Sequence, residues 1–295
     1  MERLNNNSKH QKHFLMTLKK LGLAALVIVF ISCTTNDDSV EESQEGYTML
    51  LIGNSFFRPY AEKLDDLSIL AGFEDHKSTR ITRGGENGRP INFWNDSTSS
   101  EHLQIKAALD QGNIDVFGMT AGHDPEDRIE GHRAWIDYAT KRNPNIIIFI
   151  AIPQIDFPAE WEQRAQEYGF NSIQELNDYF VDIVHDEMVD SLRIEFPTTK
   201  IFTIPTGWSS INLDQMNENN ELLDNISRFG PQATSLFVDE KGHQGDIIRE
   251  TGSLIWLNSI YGVDLSTFSY DTGFMTNLPE IAEEIMDSHD PNYKL

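Results

Sequence analysis

The sequence predicts an α/β fold, a three-layer α/β/α sandwich built on a mostly parallel sheet. Four strand-length runs rich in Ile, Val and Phe are apolar throughout rather than alternating. Strands buried on both faces of a parallel sheet require that pattern. Amphipathic stretches of helix length lie between the runs, and such helices carry the chain back to start the next parallel strand. From residue 47 onward there is no internal repeat, low-complexity linker or second shift in composition, so residues 47–295 are expected to form one domain.

The first run, "YTMLLIG" at residues 47–53, breaks at Gly53-Asn54-Ser55, and Pro59 then opens a helix over 60–71. A helix over 101–111 leads to the strand "IDVFGM" (114–119), and a helix over 126–141 leads to "NIIIFIAI" (145–152). Residues 172–195 form the longest helix, with Ile173, Leu176, Phe180, Ile183, Val184, Met188 and Leu192 recurring at steps of three and four along one face. The strand "KIFTI" (200–204) follows. Lys241-Gly242 turns the chain into a helix over 244–261, and the tail, 279–295, is expected to be a terminal helix that frays.

Charge and the N-terminus narrow the function classes. The formal net charge is −24, and from Cys33 onward 18 basic residues face 46 acidic ones, a balance of −28. So acidic a surface repels phosphate backbones, and no nucleic-acid partner is expected. Lys9, Lys12, Lys19 and Lys20 precede "LGLAALVIVFISC", an apolar stretch too short to span a bilayer. Residues 1–32 resemble a lipoprotein signal peptide, with Cys33 as the acylated residue and the sole link to a membrane. Phe30 and Ile31 depart from that signal's tightest form. The following segment, 33–46, is polar and acidic and reads as a flexible tether. Its start resembles the export tags of Bacteroidetes-type lipoproteins. The resemblance implies an outer-membrane location, facing the periplasm or the cell surface. Cys33 is the only cysteine, so the fold relies on packing and not on disulfides.

Chemistry in such a sheet gathers at the carboxyl ends of the strands. Ser55 stands at one such end, Gly122-His123-Asp124 at a second and Pro153-Gln154-Ile155-Asp156 at a third. Ser55 reads either as a helix cap or as a nucleophile. A hydroxyl attacks only when a base takes its proton, and that base needs an acid to orient it. Of the nine histidines, His243 alone has such surroundings: in "LFVDEKGHQGDIIRETG" it follows Asp239, Glu240 and the turn residue Gly242, and precedes a helix start. The positive end of that helix disfavours the imidazolium and keeps the ring able to accept a proton.

The "GNS" at the first strand end and the acid–turn–His element before the last long helix resemble the SGNH (GDSL-like) hydrolase superfamily, over about residues 47–265. The resemblance implies a flavodoxin-like α/β/α fold and ester hydrolysis without metal or cofactor. It makes Ser55 the nucleophile and His243 the general base. The family spacing selects Glu240 as the acid and the family residue type selects Asp239. Asp239 is preferred, because Gly242 as an inserted turn residue restores the reach. Oxyanion donors would be the backbone N–H of Ser55 and that of Gly84 or Gly85. The asparagine that the family places after its third block is missing from "MTAGHDPED", and His123 or Asn87 would have to substitute.

His123, Asp124 and Gln154 are expected to line the substrate cleft, walled on one side by the segment 158–197. Trp94, Trp135, Trp161 and Trp208 would stack on sugar rings if exposed, though such residues are more often core. "HDPEDRIEGH" (123–132) holds metal-ligand types, but acids at a helix start serve the helix dipole without any ion, so no metal is expected. The reading is an envelope esterase acting on a small-molecule or polysaccharide ester and expected to remove acyl groups from a polysaccharide or other carbohydrate. A non-catalytic glycan-binding lipoprotein with the same fold is the alternative.

Overall fold

Five parallel strands make the central sheet: β1 (Thr48–Gly53), β2 (Lys77–Thr82), β3 (Val116–Thr120), β4 (Ile147–Ala151) and β5 (Ile201–Ile204). A computed structural model describes residues 44–122 and 129–295 of the chain. The signal segment, Cys33, most of the tether, and His123 and Asp124 lie outside the described residues. The strand order is β2-β1-β3-β4-β5, the flavodoxin-like order, with its switch point between β1 and β3.

Alternate residues of each apolar run feed opposite cores, as the pleat requires. Leu50, Ile52, Phe117, Met119, Ile148 and Ile150 pack with α2 (Pro90–Asn95), α3 (Ser100–Leu109) and α4 (Glu130–Thr140). Met49, Leu51, Val116, Phe149, Phe202 and Ile204 face α1 (Arg58–Leu70), α8 (Trp208–Glu218), α9 (Asp246–Tyr261) and α10 (Leu278–Ser288). The three layers of the expected sandwich are thus present.

The structure adds elements that the apolar pattern does not show. Strand β2, "KSTRIT", sits on the sheet edge and buries only Ile81. Its polar side is tied instead to Asp65 of α1, which accepts from His76, Ser78 and Arg80. A short pair, β6 (Ser227–Phe229) and β7 (Ser235–Phe237), forms a second small sheet ahead of α9. The segment 172–195 is helical throughout, but divides into α6 (Ile173–Ile183), a π-helical turn at Val184–Val189 and α7 (Asp190–Glu195). Ahead of it α5 (Trp161–Glu167) is a separate short helix.

The C-terminal tail does not fray. After α10 a single turn at Pro291–Tyr293 folds back, and the Tyr293 ring stacks on His185 with centroids 3.7 Å apart. His185 Nε2 and His289 Nε2 both meet the Thr203 hydroxyl, at 2.9 and 3.0 Å, so the tail is fastened to β5 from a distance of 86 residues. Burial pushes both imidazoles down to about 4. The unfolded chain therefore takes up these protons first, and the stability held by the neutral rings, complete above about pH 6.5, is lost as pH falls toward 4. His289→Gln removes one such titration. The stability gap between wild type and variant, read from urea midpoints, should narrow by on the order of 1–2 kcal/mol between about pH 7.5 and pH 5. A gap that stays constant would refute the assignment.

Candidate functional site

The carboxyl end of β1 turns at once into α1, and Asn54 makes the turn. Its backbone oxygen accepts from Phe57 and Arg58, and its side-chain Oδ1 accepts from the Phe56 N–H at 3.0 Å. Helix α1 begins at Arg58 with no side-chain cap, so Ser55 is not its capping residue. The Ser55 hydroxyl instead meets His243 Nε2 at 2.8 Å, across 188 residues of sequence.

The loop that carries His243 is a tight reversal between β7 and α9. Val238 N–H donates to the His243 carbonyl at 2.9 Å, and Gly242 N–H donates to the Asp239 carbonyl at 3.1 Å. Within it, the Asp239 carboxylate meets His243 Nδ1 at 2.6 Å through Oδ2, while Oδ1 accepts the backbone N–H groups of Gly242 and His243 at 3.0 and 3.1 Å. Desolvation pulls the Asp239 carboxyl upward, but the hydrogen bonds from His243 and the backbone outweigh it and hold the group below its ordinary range. An ionised Asp239 accepts the Nδ1–H, which leaves Nε2 as the acceptor toward Ser55. Glu240 points to solvent and makes no hydrogen bond to the ring. The Phe56 ring stacks on the imidazole, with centroids 4.8 Å apart and planes 9° from parallel.

The loop after β4 clamps this reversal. Gln154 is 2 % exposed, donates to the Gly242 carbonyl at 2.6 Å and accepts from the Ser210 hydroxyl. It is therefore a buried strut and not a wall of the cleft. Phe157 N–H donates to the Lys241 carbonyl at 3.0 Å, and Phe157 itself is held in the left-handed region, φ 58°, which costs a non-glycine residue about 1 kcal/mol or more. Gly242 has φ 97°, and a methyl group there would lie 2.7 Å from Pro158 Cδ and 2.8 Å from Gln154 Nε2. No other residue fits.

A cleft of about 460 Å³ opens beside the serine turn. Asn54 and Phe56, the chain neighbours of Ser55, line it together with Gly85, and Asp156, Phe157 and Lys241 line it along the clamp. Its far wall is Arg164, Glu167, Tyr168 and Phe180, from α5, the turn after it, and α6, within the segment expected to serve as a wall. Among the oxyanion candidates, Gly85 borders the cleft, whereas Gly84 and Asn87 are exposed and do not. Gly88 fixes that loop: a methyl group on it would lie 2.6 Å from the Gly53 carbonyl oxygen. Among the described residues the backbone N–H groups of Ser55 and Gly85 have no protein acceptor.

The tryptophans do not serve the cleft. Trp135 and Trp161 are core, Trp94 packs edge-on against Trp135, and Trp208 lies against another hollow. The aromatic groups that do line it are Phe56, Phe157, Tyr168 and Phe180. Asp156, from the third strand end marked in the sequence, lines the cleft, and Lys241 and Arg164 are cleft residues that sequence reasoning did not place there. Lys241 stands two residues from His243, the one signal that could have flagged it.

No protein-family model matches the chain, and no curated protein matches it. Solved structures similar to it in fold include the periplasmic domain of a lipopolysaccharide acetyltransferase from Salmonella ser. Paratyphi A. That match has 15 % identity, covers 75 % of this chain and 84 % of that one, and has a TM-score of 0.42. A protein described as a GDSL-like lipase from Parabacteroides merdae matches at 11 % identity, over 73 % of this chain and 95 % of that one, with a TM-score of 0.45.

Gln154→Leu tests the clamp. It keeps the bulk but strands the Gly242 carbonyl and the Ser210 hydroxyl, so a loss of about 1–3 kcal/mol is expected in urea unfolding. An unchanged midpoint would show that the strut is dispensable.

Proposed function

We propose that the protein is an SGNH-type serine esterase of the cell envelope, which removes acyl groups from a carbohydrate. The observation that carries this reading is the run of two short hydrogen bonds, Ser55 Oγ to His243 Nε2 at 2.8 Å and His243 Nδ1 to Asp239 at 2.6 Å. A glycan-binding protein without catalysis would have no need of that alignment.

In the proposed reaction His243 Nε2 takes the Ser55 hydroxyl proton as Oγ adds to the ester carbonyl. Asp239 orients the ring and stabilises the imidazolium without itself taking the proton. The N–H groups of Ser55 and Gly85 receive the oxyanion. As the intermediate collapses, His243 gives its proton to the departing alkoxy oxygen and an acyl-serine remains. Water, deprotonated by the same imidazole, then releases the carboxylic acid and restores Ser55. No metal or cofactor enters this sequence. The open aromatic cleft, bordered by Phe56, Phe157 and Tyr168, suits a sugar ring better than a long acyl chain. The signal-like residues 1–32 and Cys33 support delivery to the envelope with a lipid anchor as the only membrane attachment, and the acidic surface argues against a nucleic-acid partner.

Ser55→Ala should lower p-nitrophenyl acetate hydrolysis by roughly a thousandfold or more while leaving the thermal midpoint nearly unchanged. A fluorophosphonate should label wild type and not the variant. Hydrolysis that survives in the variant, or is absent from wild type, would sink the proposal.

A further inference from the structure

Gly85, one of the two candidate oxyanion donors, borders the cleft beside the serine turn, and one cation stands against it. A methyl group on Gly85 would lie 3.8 Å from Lys241 Nζ, so the ammonium stands within van der Waals range of the Gly85 Cα substituent position. The same Nζ lies 5.7 Å from the centroid of Phe56, the residue after Ser55, whose ring stacks on His243. Gly85, Phe56 and Lys241 all border the one cleft.

The lysine is held at both ends. Its carbonyl accepts from Phe157 N–H at 3.0 Å, and its Nζ is 3.5 Å from Asp156 Oδ2. That ion pair is longer than a hydrogen bond, so it tethers the ammonium without saturating its three donors. With one third of the side chain exposed, the head is open to a ligand.

We infer that Lys241 is a further catalytic residue, whose ammonium donates to the oxyanion beside the Ser55 and Gly85 N–H groups. This rests on the esterase reading. As Ser55 Oγ adds to the carbonyl carbon, the π pair moves to the carbonyl oxygen, and the Lys241 N–H bonds to it. When the pair returns and the alkoxy group departs, the bond relaxes. Lys241 keeps its proton throughout, so His243 still carries all proton transfer. A fixed cation beside developing negative charge stabilises the transition state more than the neutral ester, so its effect falls on kcat and not on KM.

The test compares full-length wild type, Lys241→Met, Lys241→Gln and Lys241→Arg on p-nitrophenyl acetate, with the rate of fluorophosphonate labelling at Ser55 as a second readout. Removing the cation should lower kcat by on the order of ten- to a hundredfold with KM within about threefold. Phosphonylation should slow by a similar factor, because its intermediate places a charged oxygen in the same position. Lys241→Arg should recover much of both rates, and the thermal midpoints should agree. Should Lys241→Met fail to fold, Lys241→Gln carries the comparison. A kcat within twofold of wild type, a change confined to KM, or no recovery in Lys241→Arg would overturn the inference while the esterase reading stands. Wild type that neither hydrolyses the ester nor labels would overturn both.

Discussion

The arrangement at the sheet edge depends on how closely the Asp239–His243 reversal approaches the loop after β4. Gly242 leaves no room for a side chain against Pro158 and Gln154, and the Gln154 amide fills the remaining space with a bond to the Gly242 carbonyl. A second bond, from Phe157 N–H to Lys241, fixes the preceding residue. Buried polar groups are costly to strand, so these bonds hold the reversal in one conformation. The serine turn is set separately, by Asn54 at the end of β1. The two loops are rigid for unrelated reasons: the serine turn ends β1 of the five-stranded sheet, whereas the reversal follows β7 of the small one, and the two meet at 2.8 Å.

The same clamp decides the electrostatics of the cleft. The chain has 47 acidic and 23 basic residues, but among the described residues three of each sign line the cleft: Glu86, Asp156 and Glu167 against Arg89, Arg164 and Lys241. Among the described residues the cleft lining thus carries balanced charge within a strongly acidic chain. Polyanions meet repulsion on approach, whereas a neutral ester does not. Burial lifts the Asp156 carboxyl above its ordinary range, and the neighbouring Lys241 ammonium offsets only part of that rise.

Much of the fold is legible in the sequence because burial on both faces leaves short, continuous runs rich in Ile, Val and Phe. β1, β3, β4 and β5 are apolar runs, and each lies within the range read from the sequence except for Thr120, one residue past the β3 run. β2 leaves no such mark, since an edge strand needs only Ile81 inward, and two of its other side chains, Ser78 and Arg80, bond to Asp65. The tail is helical as the sequence indicates, but its anchoring leaves no mark for a related reason: what holds it is a pair of buried histidines on one threonine, and polar contacts at long range have no periodicity. At the site, Ser55 and His243 could be picked out by residue type and setting. The buried role of Gln154 and the placement of Lys241 could not, because both depend on how two loops pack. Sequence reads what local pattern encodes, and a clamp between loops is not local.

The choice between two adjacent acids shows how backbone geometry settles what spacing leaves open. Glu240 is three residues before His243 and Asp239 is four. In a plain turn the nearer acid has the shorter path. Here Gly242, at φ 97°, folds the chain back so that the Asp239 carbonyl receives the Gly242 N–H, and the side chain of Asp239 comes under the imidazole. The same fold turns Glu240 outward. Aspartate also has the better length: one oxygen takes the ring nitrogen while the other takes two backbone N–H groups. A glutamate at position 239 would place its carboxylate one methylene farther out and could not keep all three bonds without shifting the ring. The residue type and the extra turn residue are therefore one device, and the glycine that permits the turn is the same one that the Gln154 clamp requires.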